Sequence, residues 1–197
     1  MRDLEIRGAG NLLGGAQSGH IAAVGYDLYC EMVTEAVAEL KGEPSSRAPE
    51  INIDLPIKAF IPSDYVETEE QRLEAYRRLA SVSELVEVAD IEAEWVDRYG
   101  QVPESAKTLL HVALLRSECI RLAIDDINAN SRKRVRISPL NLSQGEQVRF
   151  RRLSASGSFK SGTFKEESQE LTIQVDDITE ELPGQLFQFL RELRPAE

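Results

Sequence analysis

Cysteine is nearly missing from this chain. Cys30 and Cys119 are the only two in 197 residues, they form no C-x-x-C pair, and nothing at the N-terminus has the pattern of a secretory leader. A disulfide framework and export are therefore not expected, and Cys119, set in a helical apolar pattern, reads as a small buried hydrophobe. Long apolar runs are lacking too. None approaches the roughly 18 residues of a membrane span, so the expectation is a cytoplasmic protein with no membrane contact. Histidine is confined to His20 and His111, with no partners at ligand spacing for a metal. No glycine leads into Lys and a hydroxyl residue as in G-x-x-x-x-G-K-[ST], and G-x-G-x-x-G fails because the third glycine position after Gly8 and Gly10 is Leu13. No acidic D-E-x-x box occurs, and no His pairs with Ser or Cys in a recognisable hydrolase motif. Neither a bound cofactor nor catalysis is expected of the chain itself.

Basic charge is scarce on average and concentrated in place. The formal charge of −11 argues against a generic nucleic-acid binder, which usually presents a net basic surface. Yet Arg132, Lys133, Arg134, Arg136, Arg149, Arg151, Arg152, Lys160 and Lys165 are accompanied between positions 131 and 165 by one acid, Glu146, a local +8 that leaves −19 elsewhere.

What is present comes in a clear order. Five glycines between Gly8 and Gly19 favour an irregular, extended segment over regular structure. Tyr26, Tyr29, Cys30, Val33, Ala36, Val37 and Leu40 then recur at helical spacing, predicting a helix over 26–41 that stops at Lys41-Gly42. Residues 43–49, small and polar with Pro44 and Pro49, form a linker. Ile51, Ile53 and Leu55 alternate with polar residues as in a half-buried strand ended by Pro56. Helices follow at 68–82, 84–99 and 103–123. Thr68 with Gln71 marks the first start, Gly100 the second stop and Pro103 the third start. In the second helix Leu85, Val88, Ile91 or Glu92, Trp95 and Tyr99 face a core, while Glu84, Glu87, Asp90, Glu92, Glu94 and Asp97 crowd the rest against Arg98. The third is apolar on too many sides for a narrow stripe and should be central. Val135 with Ile137, Val148 with Phe150, and Leu171, Ile173 and Val175 alternate as strands, residues 154–162 read as a Ser/Gly loop, and a closing helix spans 183–193. The fold class is α+β: a small, mostly antiparallel sheet packed with helices, preceded by an extended Gly-rich segment and one helix.

Several of these stretches resemble one family. Arg2-Asp3-Leu4-Glu5-Ile6-Arg7-Gly8, continuing through Gly10, Leu13, Gly14 and Gln17-Ser18-Gly19, is similar to the translocation motif R-D-L-E-[IL]-R-G-x-G-x-x-L-G-x-x-Q-S-G shared by transcription-repair coupling factors and RecG-type helicases. A chain of this length cannot hold a two-domain motor, so the resemblance implies the C-terminal piece of a larger protein. Ile61-Pro62-Ser63-Asp64-Tyr65-Val66, then Arg72-Leu73 and Tyr76-Arg77-Arg78, then Glu94, Asp97-Arg98-Tyr99-Gly100 and Pro103, resemble the C-terminal domain of the coupling factors rather than RecG.

The resemblance implies a parent protein that uses ATP and magnesium to translocate on double-stranded DNA, removes stalled RNA polymerase and recruits nucleotide excision repair. Residues 1–42 would complete its motor, with Arg7 and Gln17 coupling hydrolysis to movement. Residues 50–197 would be a regulatory domain docking through Glu94, Asp97 and Arg98 onto the protein's own N-terminal module that binds the excision-repair protein UvrA. The ordinary alternative for these three is a solvated helix face with an internal Glu94–Arg98 pair. A competing function is nucleic-acid binding through the basic segment 132–152, with Arg132, Lys133, Arg134, Arg136, Arg149 and Arg151 on the exposed side of a sheet.

Overall fold

The computed structural model describes residues 51–195 apart from 131, 157 and 158. The Gly-rich segment with Arg7 and Gln17, the helix expected over 26–41 and the linker 43–49 lie outside the described residues.

A strand and three helices come first. Strand β1, Asn52–Asp54, runs into an irregular connector and then helix α1, Glu69–Ala80. The Tyr76 hydroxyl accepts the Ile61 N–H at 2.8 Å from within the core, fixing that connector to α1. Thr68 starts the helix as expected, its Oγ1 accepting the Gln71 N–H at 3.3 Å. Helix α2, Leu85–Tyr99, is opened by the Glu87 carboxylate, which accepts the N–H groups of Ser83 and Glu84 at 2.7 and 2.9 Å. Those backbone donors, Glu84 first, hold the Glu87 carboxyl below its usual range. Gly100 ends α2 at φ 84°, a conformation that suits a residue without Cβ. Val88, Ile91 and Trp95 form the buried stripe, so Ile91 and not Glu92 occupies the inner position. Helix α3, Glu104–Leu122, is buried on several sides, as a central helix must be.

The rest of the chain builds the sheet. Strands β2, Asp126–Asn130, β3, Arg134–Ser138, β4, Phe159–Lys165, and β5, Glu170–Val175, join β1 in the order β1-β2-β3-β5-β4. Only β1 with β2 is parallel, and α1 to α3 supply the long connection that a parallel pair requires. Ile53, Ile127, Val135, Ile137, Leu171, Ile173 and Val175 point inward to one core shared with α3 and the last helix, α5, Leu182–Leu193. The alternating positions point outward and are polar, including Asn52, Asp54, Asn128, Arg134, Arg136, Thr172 and Gln174.

Two expectations need correction. Residues 148–151 are not a strand: they lie within helix α4, Gln144–Ser156. Two apolar residues at spacing two are weak evidence beside a capping box, and Ser143 with Glu146 forms one. The Glu146 carboxylate accepts the Ser143 N–H at 2.7 Å, and the Ser143 hydroxyl accepts the Glu146 N–H at 3.4 Å. The segment 154–162 is not simply a loop either, because α4 runs to Ser156 and β4 begins at Phe159. A register shift between Phe159 and Ser161 breaks the alternation there, and the inward slot at Gly162 is filled by the Phe150 ring instead of a side chain of its own.

The same capping box carries a pH dependence. Arg194 donates to Glu146 through Nε and to the Asn141 carbonyl through Nη2, tying the start of α4 to the end of α5. The Arg194 guanidinium is the main reason the Glu146 carboxyl is pulled down to about 2 from its ordinary 4.5. Because the folded value is the lower one, this stabilisation is complete above the unfolded value and disappears as pH falls through the folded one. The wild-type chain is expected to lose on the order of 1–2 kcal/mol more than Glu146→Gln over that interval, allowing for solvent around the partly exposed arginine. Urea unfolding from pH 5 to pH 2 measures this. Parallel stability curves for the two proteins would remove the assignment.

Candidate functional site

Helix α2 buries one face and leaves another uncovered by the described residues. Opposite Val88, Ile91 and Trp95, the side chains of Val86, Ala89, Ala93 and Val96 are all exposed. Val86 and Val96 are 59% and 50% accessible, among the few large apolar residues of the described chain left so open. Their spacing of three, four and three residues is that of a coiled-coil seam, so the four line up along one side of the helix. Asp90 and Asp97 flank the seam on one side and Glu92 on the other, all exposed. A narrow apolar stripe with acidic margins suits a partner segment having an apolar ridge and basic edges.

The three residues expected to dock share this side of the domain but differ in what they already do. Glu94 is held between two arginines, accepting from Arg78 of α1 at 2.5 Å and from Arg98 at 2.8 Å. Those bonds, Arg78's first, lower the Glu94 carboxyl from its usual range. Arg98 also lies over the Tyr99 ring at 5.1 Å from its centre, a geometry that favours a cation. Tyr99 in turn meets Tyr65 edge-on, and the Tyr65 hydroxyl lies 3.1 Å from both the Trp95 and Gly100 carbonyl oxygens, so the end of α2 is braced from below. Asp97 has no hydrogen-bond or ion-pair partner among the described residues and is exposed. Glu94 is thus partly occupied in joining α1 to α2, Arg98 is paired with Glu94 within α2, and Asp97 is available.

The basic residues do not form one surface. Arg134 and Arg136 project from the outward face of β3, and Arg132 and Lys133 sit at the tip of the β2–β3 hairpin. Arg149 and Arg151 are on α4, which packs on the inward side of β4 through Phe150. Arg149 Nη1 donates to the Leu193 carbonyl at 2.9 Å, satisfying a terminal acceptor of α5.

A family model described as the TRCF domain matches residues 55–156, more than half of the chain. The chain belongs to the transcription-repair coupling factor family. Coupling factors of Mycobacterium bovis and Mycobacterium tuberculosis are each 44% identical over 174 residues, covering 83% of this chain and 14% of the relative. That of Myxococcus xanthus is 49% identical over 114 residues, covering 58% of the chain and 10% of the relative. The chain therefore spans about one-seventh or less of the curated relatives it matches. A crystal structure of the C-terminal domain of a transcription-repair coupling factor superposes with a TM-score of 0.60 at 18% identity, covering 74% of this chain and 94% of that one. The described residues have the fold of that C-terminal domain.

Within this coupling-factor domain, sequence reading missed two contributors to the α2 surface. Arg78 was placed on a helix without its bond to Glu94, since nothing in the spacing of α1 and α2 says which faces meet. The seam was legible in principle: Val86, Ala89, Ala93 and Val96 repeat at heptad spacing, but two of the four are alanines and the interleaved carboxylates mask the pattern. Among the described residues no cluster of three or more metal-binding side chains occurs, and no helix is long and apolar enough to cross a membrane.

Proposed function

We propose that this chain is the C-terminal part of an ATP-dependent translocase on double-stranded DNA that removes stalled RNA polymerase and recruits nucleotide excision repair. In this reading residues 1–42 complete the motor, with Arg7 and Gln17 in the coupling of hydrolysis to movement, and residues 43–49 are a linker. Residues 50–197 are a regulatory domain whose α2 face docks on the protein's own N-terminal module and masks its UvrA-binding surface. ATP and magnesium belong to the motor of the longer protein, and no residue of this chain is assigned to them.

The observation that carries the reading is the face of α2 left uncovered by the described residues, where an apolar seam lies beside Asp97, which has no partner among them, at the position of the family's docking motif. Seam and carboxylate supply different things: apolar area favours contact, and charge sets the orientation and rejects wrong partners. Masking works only if the contact exists in one conformation and is lost in the other, because a contact made equally in both shifts nothing.

The three motif residues are unequal as probes. Altering Glu94 also loosens α1 from α2, and altering Arg98 removes one of the two partners of Glu94, whereas Asp97→Lys changes only the outward surface. In the full-length protein, Asp97→Lys is expected to raise UvrA affinity roughly five- to tenfold, the range of an ordinary interdomain coupling. Titration of UvrA against the wild-type and variant proteins measures it, with unfolding of the 197-residue chain as the folding control. Unchanged UvrA affinity in a stably folded variant would refute the docking role.

A further inference from the structure

The outward face of the sheet is polar and uncovered by the described residues, and its basic hairpin is held by several hydrogen bonds. At the hairpin tip the Asn130 side-chain oxygen accepts the N–H groups of Arg132 and Arg134 at 3.0 and 3.2 Å. Gln174 Nε2 donates to the Arg132 carbonyl at 3.0 Å, and the Lys133 ammonium reaches the Asp176 carbonyl at 2.8 Å and the Asp177 carboxylate at 3.2 Å. Lys133 is therefore spent as an anchor that pins the hairpin to the segment after β5. Arg136 is likewise occupied, 2.9 Å from Asp126. Arg132 and Arg134 are different. Neither meets a carboxylate among the described residues, and beyond a 3.4 Å contact of Arg134 Nε with Gln174 Oε1 their guanidinium groups are open to solvent.

Beside Arg134 the face sinks into an open depression of about 320 Å³ lined by Ser161, Thr163, Thr172, Gln174 and Lys165, the last lying 3.8 Å from the Glu170 carboxylate. Hydroxyl, amide and guanidinium groups on a fixed backbone are the set that contacts phosphate oxygens in nucleic-acid complexes. Single-strand platforms need aromatic rings on which bases stack. None is present on this face among the described residues: Phe159 is buried and Phe164 packs against the core.

We propose that Arg132, Arg134 and the hydroxyl-lined depression next to them form a site for the phosphodiester backbone of duplex nucleic acid. The contacts proposed are to phosphate oxygens, which carry no sequence information. It shares no residue with the α2 surface, so its success or failure is separate from that of the docking proposal. With two free arginines, the expected affinity is that of non-specific binding, on the order of 10–100 μM at moderate salt. Two phosphate contacts predict a slope of about −2 for log affinity against log salt concentration.

The test is fluorescence anisotropy of a labelled 30-base-pair duplex titrated with the 197-residue chain at several salt concentrations. Arg134→Glu and Arg132→Glu should each weaken binding roughly five- to tenfold and flatten the slope by about one, and the neutral Arg134→Gln should do so to a smaller degree. Arg151→Glu changes the net charge identically but lies on α4 in the other layer, so it should leave the affinity as it was. Four results would overturn the proposal: no salt-dependent binding of the duplex, equal weakening by Arg151→Glu, tighter binding of a single strand, or equally effective competition by polyglutamate. The last would show an acidic protein segment to be the partner instead.

Discussion

Valine in place of Gly162 is expected to destabilise the domain by about 3 kcal/mol, because overpacking a filled core forces side chains off their rotamers and shifts backbone. A Cβ at this position would lie 2.4 Å from Cζ and 2.9 Å from Cε2 of the Phe150 ring, and 3.3 Å from Ile173 Cγ2. The ring cannot simply swing away. It meets Phe189 of α5 edge-on at 6.2 Å between centroids, and Phe189 meets Phe159 of β4 at 5.1 Å, so three aromatic rings tie α4, α5 and the sheet edge together. Urea unfolding of Gly162→Val against wild type gives the cost. Phe150→Leu should be costly alone yet recover part of the loss when combined with Gly162→Ala, since the smaller side chain vacates the slot the methyl would enter. Strict additivity of the two changes would mean that glycine is needed there for another reason.

Removal of the Glu118 carboxylate has the second large expected effect. Glu118 is 1% exposed on α3, and both its oxygens accept from Arg121, with Nε at 3.1 and 3.0 Å. Arg191 of α5 stands 3.9 Å away. Arg121 also donates through Nη2 to the Arg194 carbonyl at 2.6 Å, just beyond the end of α5. The carboxylate therefore aims a guanidinium that satisfies an otherwise open backbone acceptor, and it neutralises part of two like charges brought close by helix packing. Glu118→Ala should cost about 3 kcal/mol. That is the low end for breaking a buried pair, because both arginines are about one-third exposed and can recover water. Glu118→Gln keeps the shape and one acceptor, so it should cost roughly half as much. The denaturant midpoints of the two variants decide the matter; equal losses would show that packing volume, and not charge-assisted bonding, sets the requirement.

Both effects depend in part on contacts between separate elements, Phe150 with Gly162 and Arg121 with the end of α5, and these are what sequence reading handled least well. The helices before position 123 were readable because their signals are local. Thr68 offers its hydroxyl three residues ahead, Gly100 adopts a φ that other residues resist, and Pro103 stands where no N–H is needed. The strands at Val135–Ile137 and Leu171–Val175 were readable for a related reason, since strict alternation has one simple solution when one face is covered. Strand β2, with Asp126, Asn128 and Asn130 at its outward positions, carries no such preference of its own. It is a strand because β1 and β3 bracket it and because Asn52 and Asn128 donate across to Asp126 and Asp54, both at 2.9 Å.

The candidate surfaces divide along the same line. That Glu94, Asp97 and Arg98 share one side of a helix follows from a period of 3.6 residues. That Glu94 is drawn toward Arg78 while Asp97 is left free depends on how α1 lies against α2, which no spacing encodes. The basic run between positions 132 and 152 looked continuous because sequence ranks neighbours by number. Folding sends Arg132 and Arg134 to one layer and Arg149 and Arg151 to another, since the chain turns through Leu140 and Leu142, both buried, before α4 begins.

From its sequence alone, then, this protein's helix limits, the alternation of its best strands, its fold class and its family membership could be argued, because caps, turns and periodicity act over a few residues and motifs keep their order. Tertiary structure alone decided that the slot at Gly162 belongs to Phe150, and which charged groups are spent and which remain available. Those outcomes depend on the pairing of surfaces distant in the chain, where burial and charge compensation outweigh local preference.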